Sequence, residues 1–173
     1  MKETGILRRI DELGRIVVPK EIRKKLKIRE GDNLDIFVSE DNVILRKYSP
    51  LNDLETILKI LLDGIKNNSN ISVVVTDLTK VIASTKSEVE ANRQITELFL
   101  ELVSQKQQIH MNKSMSIEIV EGYKTNQNLI IRPIEIYGDL FGSIILFNDF
   151  DATNSVKDYL DLIHYFCTEY IQS

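Results

Sequence analysis

The chain is poor in the residues that carry chemistry or covalent staples: one cysteine, two histidines and three prolines in 173 residues. A lone Cys167 excludes an intramolecular disulfide framework and fits a reducing compartment, so a cytoplasmic protein is expected. No apolar run approaches the length that crosses a bilayer, and the longest are strand-sized, so no membrane partner is expected. Lys2-Glu3 leads into no apolar stretch of the kind that opens a secretory leader. Glycine-rich phosphate loops, nucleophile elbows and metalloprotease spacings are absent. His110 stands in a polar stretch with no Cys or carboxylate at ligand spacing. His164 and Cys167 lie three apart and share a helix face, but two ligands are too few for a metal and both suit the buried side of a helix. Asp149 and Asp151, beside Asn148, lack the complete loop of a calcium-binding helix pair. These gaps predict no catalysis, no metal and no required cofactor.

What the chain does have is charge in an uneven distribution. Residues 1–29 carry ten Lys and Arg against four acids, a net of +6 in a protein whose overall charge is −4. An acidic protein with one strongly basic end has a polyanion-binding surface there and a separate task elsewhere, unless the charges are merely a solvated face. The composition turns over near position 48. Residues 1–48 hold twelve basic and nine acidic side chains, whereas residues 49–173 hold ten and seventeen. Pro50 disfavours helix at Ser49, which places a join there and divides the chain into residues 1–50 and residues 51–173.

The first region reads as short strands around one short helix. Ile6 to Ile10 and Arg15 to Val18 are strand-compatible, with a turn at Asp11-Glu12-Leu13-Gly14 between them. Pro19 stops the second strand and suits a helix start, and Lys20 to Leu26 then form a helix with Ile22 and Leu26 facing inward. Glu30-Gly31-Asp32 is a further turn. Leu34, Ile36 and Val38 alternate with Asp35 and Phe37 as in a half-buried strand, and Val43 to Arg46 returns. So few large apolar residues cannot enclose a core. At about 25 cal/mol per Å² of apolar surface, burial would scarcely offset the ordering entropy of a unit this small. This region is therefore expected to share its core with a second copy, which would also match the two-fold symmetry of duplex DNA.

The second region reads as α+β. A helix capped by Ser49 or Asn52 is expected near 52–66, then strands at 71–76 and 81–84. Ser87-x-x-Glu90 is a capping box and predicts a helix over about 88–103. Residues 105–116 are polar and aperiodic and predict a loop. Strands follow at 117–120, 129–136 and 140–147, with Pro133 arguing for a bulge or an edge, and a final helix starts near Thr153. Helices against an antiparallel sheet result.

Thr4-Gly5-Ile6-Leu7-Arg8-Arg9-Ile10-Asp11-Glu12-Leu13-Gly14-Arg15-Ile16-Val17-Val18-Pro19-Lys20-Glu21-Ile22-Arg23 closely resembles the start of the AbrB family of bacterial transition-state regulators. The likeness continues through Leu26 to Asp32 and Val43 to Pro50. Residues 51–173 resemble a GAF-type sensor domain in element order and in Ile131-Arg132-Pro133-Ile134 followed by Gly138-Asp139 and Gly142. The resemblance implies a mixed fold: a dimeric all-β swapped-hairpin barrel with one short helix, then an α+β domain. It implies a transcription regulator of transition-state or sporulation genes that binds AT-rich double-stranded DNA through Arg8, Arg15, Arg23 and Lys24, with Arg9 as a further cation. Lys24 stands where the family often has arginine, which keeps the charge and loses the planar fork.

Plainer readings stand beside these. Arg8 and Arg15 could be strand-edge charges that discourage aggregation. Lys25, Lys27 and Arg29 read as solvated, Arg46 and Lys47 as structural or long-range attraction, and Gly14 and Gly31 as turn residues. The second domain could bind a small-molecule effector between its sheet and the helix 88–103 or the loop 105–126, or it could only drive oligomerisation, to a tetramer. An antitoxin is the competing function, since barrels of this type also neutralise toxins, although a patterned globular domain stands where an acidic tail would be.

Overall fold

A computed structural model describes residues 5–26, 28, 30, 34–69, 71–147 and 154–173, the side chains of Asn154 and Ser155 excepted. Lys27, Arg29, the turn at Gly31, Asp149 and Asp151, and the expected helix start at Thr153 lie outside the described residues. The chain divides into two compact units, Met1–Tyr48 and Ser49–Ser173.

In the first unit, helix α1 (Lys20–Lys25) is followed by strands β1 (Leu34–Ser39) and β2 (Asn42–Lys47), which pair antiparallel. Ile36 faces Leu45 and Val38 faces Val43, so alternation gathers Leu34, Ile36, Val38, Val43 and Leu45 on one face of the hairpin. The other face carries Phe37 and Ile44, with Arg46 stacked 4.4 Å from the Phe37 ring centroid and its Nε 3.2 Å from the Asp35 carboxylate. Residues 6–10 and 15–18, expected as strands, are not strands in the single chain. A strand exists only with a ladder partner, and among the described residues no backbone hydrogen bond joins 5–10 to a neighbouring strand. Leu26 is exposed and Ile22 half-buried, so the inward face expected of α1 is only partly covered.

The second unit is a five-stranded antiparallel sheet with a layer on each face. It opens with a 3-10 turn (Pro50–Asn52) and helix α2 (Glu55–Asn68). Strands β3 (Ser72–Thr76) and β4 (Val81–Ser84), helix α3 (Glu97–Val103), and strands β5 (Ile109–Met111), β6 (Ile117–Val120), β7 (Tyr123–Thr125), β8 (Leu129–Ile136) and β9 (Asp139–Phe147) follow, and α4 (Asn154–Gln172) closes the chain. The sheet order is β4-β3-β9-β8-β5. Its alternate residues face opposite ways. Val73, Val75, Ile82, Ile130, Ile134, Ile144 and Leu146 pack against Leu54, Leu58 and Leu62 of the α2 segment and Leu160, Ile163 and Cys167 of α4. Val74, Val81, Leu129, Ile131, Ile145 and Phe147 pack against Phe99 and Val103 of α3 and Ile119 and Val120 of β6. At Gly142 the sheet leaves no room for a side chain: a Cβ would sit 1.9 Å from the Thr76 carbonyl oxygen and 2.9 Å from Leu51 Cδ1.

Three expectations are corrected. No helix starts at the Ser87 capping box; the Ser87 hydroxyl donates to Glu88, and the chain turns at Asn92, whose φ is left-handed at 68° and whose N–H donates to the Val81 carbonyl. The helix begins instead after Thr96, whose hydroxyl oxygen accepts from the Phe99 N–H at 3.1 Å. The stretch 105–116 is not all loop, because β5 adds to the sheet edge through pairing with Leu129, Ile130 and Ile131 of β8. Neither Ser49 nor Asn52 caps α2; Ser49 Oγ and Asn52 Oδ1 are buried without a hydrogen-bond partner, and the 3-10 turn intervenes. Pro133 lies where β8 has run past β5, one residue before a register shift between Ile134 and Glu135, so its missing N–H interrupts no ladder.

Candidate nucleic-acid interface

The cations of the first unit lie on three consecutive segments. Arg8 and Arg9 stand in the exposed stretch 5–10. Arg15 closes a tight turn that Asp11 organises. The Asp11 carbonyl accepts from Gly14 N–H and the Asp11 N–H donates to the Arg15 carbonyl, both at 3.0 Å. Asp11 Oδ1 accepts from the N–H groups of Leu13 (3.0 Å) and Arg15 (2.8 Å), and Oδ2 accepts from Arg15 Nε at 2.8 Å. Gly14 takes φ +77°, a conformation that a side chain would strain. The Asp11 carboxyl is held below its ordinary value, first by the Arg15 backbone N–H and then by the Arg15 side chain. Arg15 is nonetheless 71% exposed, and Nε is one of its five donors.

Arg23 and Lys24 sit in the last turn of α1, with Lys25 beside them and Glu21 in the first turn. That arrangement suits the partial charges of the helix ends. The helix is held by Arg23 N–H donating to the Pro19 carbonyl at 2.9 Å and Leu26 N–H donating to Ile22 at 2.9 Å. Arg23 and Lys24 are exposed, and no carboxylate among the described residues pairs with Arg8, Arg9, Arg23 or Lys24. The five expected cations thus all face solvent, and among the described residues Arg15 alone of them has a carboxylate partner. Sequence reasoning took residues 11–14 as a plain turn and missed Asp11 as the residue that grips Arg15. The signal was present: an aspartate whose side chain can reach N–H groups two and four residues on, with glycine at the position of positive φ.

The remaining chemistry-bearing residues are dispersed. His110 Nε2 is 2.9 Å from Gln108 Nε2 on the exposed edge strand. His164 is half-buried beside the Arg132–Asp161 ion pair, and its pKa is lowered, chiefly by burial and next by Arg132, against the opposing pull of Asp161 and the Pro133 backbone. Cys167 is in the core, where burial pushes its thiol up to about 12. The space expected for an effector, between the sheet and α3, contains Phe99, Val103, Ile119 and Val120 packed on the sheet. No helix among the described residues is long and apolar enough to cross a membrane.

Comparison with known proteins agrees with this division of labour. Residues 53–162 match the family model described as stage V sporulation protein T C-terminal, transcription factor, and residues 7–53 match that of the antidote-toxin recognition protein MazE, a bacterial antitoxin. Over 161 residues the chain is 39% identical to stage V sporulation protein T of Bacillus subtilis (strain 168), which spans 91% of this chain and 90% of that protein. Fifty residues are 54% identical to the transition state regulatory protein AbrB of the same organism, 29% of this chain and 52% of AbrB. Among solved structures, the GAF domain of an Acinetobacter phosphoenolpyruvate-protein phosphotransferase is similar at a TM-score of 0.49 and 12% identity, covering 69% of this chain and 82% of that one. The match of residues 53–162 to a transcription-factor family and the identity to stage V sporulation protein T and AbrB define the class of protein, a DNA-binding transcription regulator. The chain belongs to the stage V sporulation protein T family.

Proposed function

We propose that two copies of this chain pair through residues 1–50 and hold double-stranded DNA against Arg8, Arg9, Arg15, Arg23 and Lys24 of each copy. One observation carries the reading. Among the described residues of the first unit only Pro19 is buried, while Leu7 is 90%, Val17 75% and Val38 79% exposed. Large apolar side chains left exposed in this number mark an interaction surface. A second copy that interleaves its hairpin covers that face and supplies strand partners for 5–10 and 15–18. The result is a two-fold barrel with two sets of cations on symmetric positions. About four phosphate contacts per copy would release counterions with a log–log salt slope of roughly −0.9 per contact. Selectivity then comes from a few base-edge contacts or from the shape and bendability of AT-rich promoter DNA. This reading places the protein at the nucleoid in the cytoplasm and gives it no catalytic role.

The second unit is read as a regulatory and pairing domain. Ile57 and Ile60 of α2 and Leu162 and Tyr165 of α4 are exposed, on the two helices that share one face of the sheet. Pairing of two such faces would join dimers into a tetramer. An effector of the second unit can act only by binding the DNA-competent and incompetent arrangements unequally. The antitoxin reading draws support from the match to MazE, but residues 49–173 form a folded domain with its own core where a toxin-wrapping tail would be. The test is binding of the full chain to duplex DNA in a salt series. Arg8→Ala and Arg23→Ala should each weaken binding about tenfold and flatten the salt dependence by roughly one to two contacts per dimer while the dimer persists. Absence of duplex binding at low salt would refute the proposal.

A further inference from the structure

We infer that Asp11 is a positioning residue for DNA recognition: its carboxylate holds Arg15 by the Nε edge, so that the outer nitrogens of the guanidinium meet a phosphate already oriented. The inference rests on the reading above that Arg15 faces DNA, and it assigns a role to an acidic residue that charge alone would count against binding.

The geometry behind it is local and dense. Asp11 Oδ1 accepts from two backbone N–H groups, at 3.0 Å from Leu13 and 2.8 Å from Arg15, which fixes the carboxylate relative to the turn. The second oxygen, Oδ2, is then aimed at Arg15 Nε, 2.8 Å away. The backbone closes the same turn from both ends, through Asp11 N–H to the Arg15 carbonyl and Gly14 N–H to the Asp11 carbonyl. Five bonds to Asp11 make a rigid anchor for a long side chain that is otherwise 71% exposed. The depressed Asp11 carboxyl remains ionised at neutral pH.

Two effects of Asp11 on DNA binding have opposite signs. Its negative charge repels phosphates, so its removal should tighten binding to any duplex, most of all at low salt. Its grip removes rotamer freedom from Arg15 before DNA arrives, so its loss should weaken binding by the ordering entropy of one long side chain in each copy. As an isolated stability element the pair is worth little, because exposed ion pairs contribute almost nothing. Its use therefore lies in orientation, and orientation can be separated from charge by the sign of one substitution.

Asp11→Asn keeps Oδ1 as the acceptor for Leu13 and Arg15 N–H, but places an amide NH2 where Oδ2 was, and a donor cannot hold Arg15 Nε. The full-length protein would be titrated with the duplex that the wild type enriches from a random-sequence library, and with a shuffled version of it. The inference expects Asp11→Asn to weaken binding to the enriched duplex about threefold to tenfold, with binding to the shuffled duplex weakened less or even tightened. Unchanged or tighter binding to the enriched duplex overturns it. At low salt, where the other cations sustain binding, the same substitution in an Arg15→Ala background should produce no weakening. Equal weakening in both backgrounds would mean that Asp11 serves the turn and not the guanidinium, and would also overturn the inference. If the wild type itself enriches nothing and binds no duplex, it is the DNA-binding reading that fails, a result distinct from either of these.

Discussion

The two units of this chain solve the problem of burial in opposite ways. The second unit is self-sufficient: helices cover both faces of its sheet, and Phe99, Leu58, Ile131, Ile134, Ile144 and Leu146 are removed from water entirely. The first unit has a comparable proportion of branched side chains and leaves nearly all of them wet. The difference is one of enclosure. Six-residue strands in a lone hairpin can present one apolar face but cannot cover it, and a two-stranded sheet is marginal in water. On the proposed pairing, the fold of the first unit is completed by a second copy, and its stability then depends on protein concentration.

Gly142→Ala should break the self-sufficient unit most severely. The added carbon meets a backbone oxygen, so the sheet must shift, at a cost of about 3 kcal/mol; the measurement is thermal unfolding, and an unchanged midpoint would contradict the close approach of β9 to Thr76. Ile36→Lys sharpens the contrast from the other side. On the proposed pairing it should dissociate the dimer and abolish duplex binding while the second unit melts as before, seen by sedimentation and calorimetry on the same sample. A protein that stays dimeric and binds DNA would show that the hairpin face is not shared. The effect that is smallest at neutral pH concerns Cys167. Its folded pKa of about 12 lies above the ordinary value of 9.0, so burial of the neutral thiol favours the folded state fully below pH 9 and progressively less between pH 9 and 12. Unfolding free energy should therefore fall more steeply over that window in the wild type than in Cys167→Ala, and parallel curves would contradict the shift.

Much of the second unit was legible because its signals are local. The alternation of Val73, Val75, Ile144 and Leu146 with their neighbours, the Tyr137-Gly138 turn, and the stripe of Leu160, Ile163 and Cys167 each report a period that the fold keeps. The failures are places where a distant partner decides. β5 is three residues long with a histidine at its centre, and nothing but the free edge of β8 makes it a strand. The capping box at Ser87 loses to the Asn92–Val81 bond, which bends the chain before a helix can form. In the first unit the strand patterns at 6–10 and 15–18 were readable, but a ladder needs a second backbone. For the candidate interface the cations could be read from the sequence, whereas the acid that orients one of them could not be told from an ordinary turn residue by charge.

The pairing of Arg46 with Asp35 and its stacking on Phe37 limit what composition says about affinity. A guanidinium that shares its charge with a carboxylate and stacks on a ring displaces fewer condensed sodium ions from a docking nucleic acid than a free one does. The number of ions displaced should consequently fall well short of the twelve basic side chains in residues 1–48, and the shortfall would measure how many of them the protein keeps for itself.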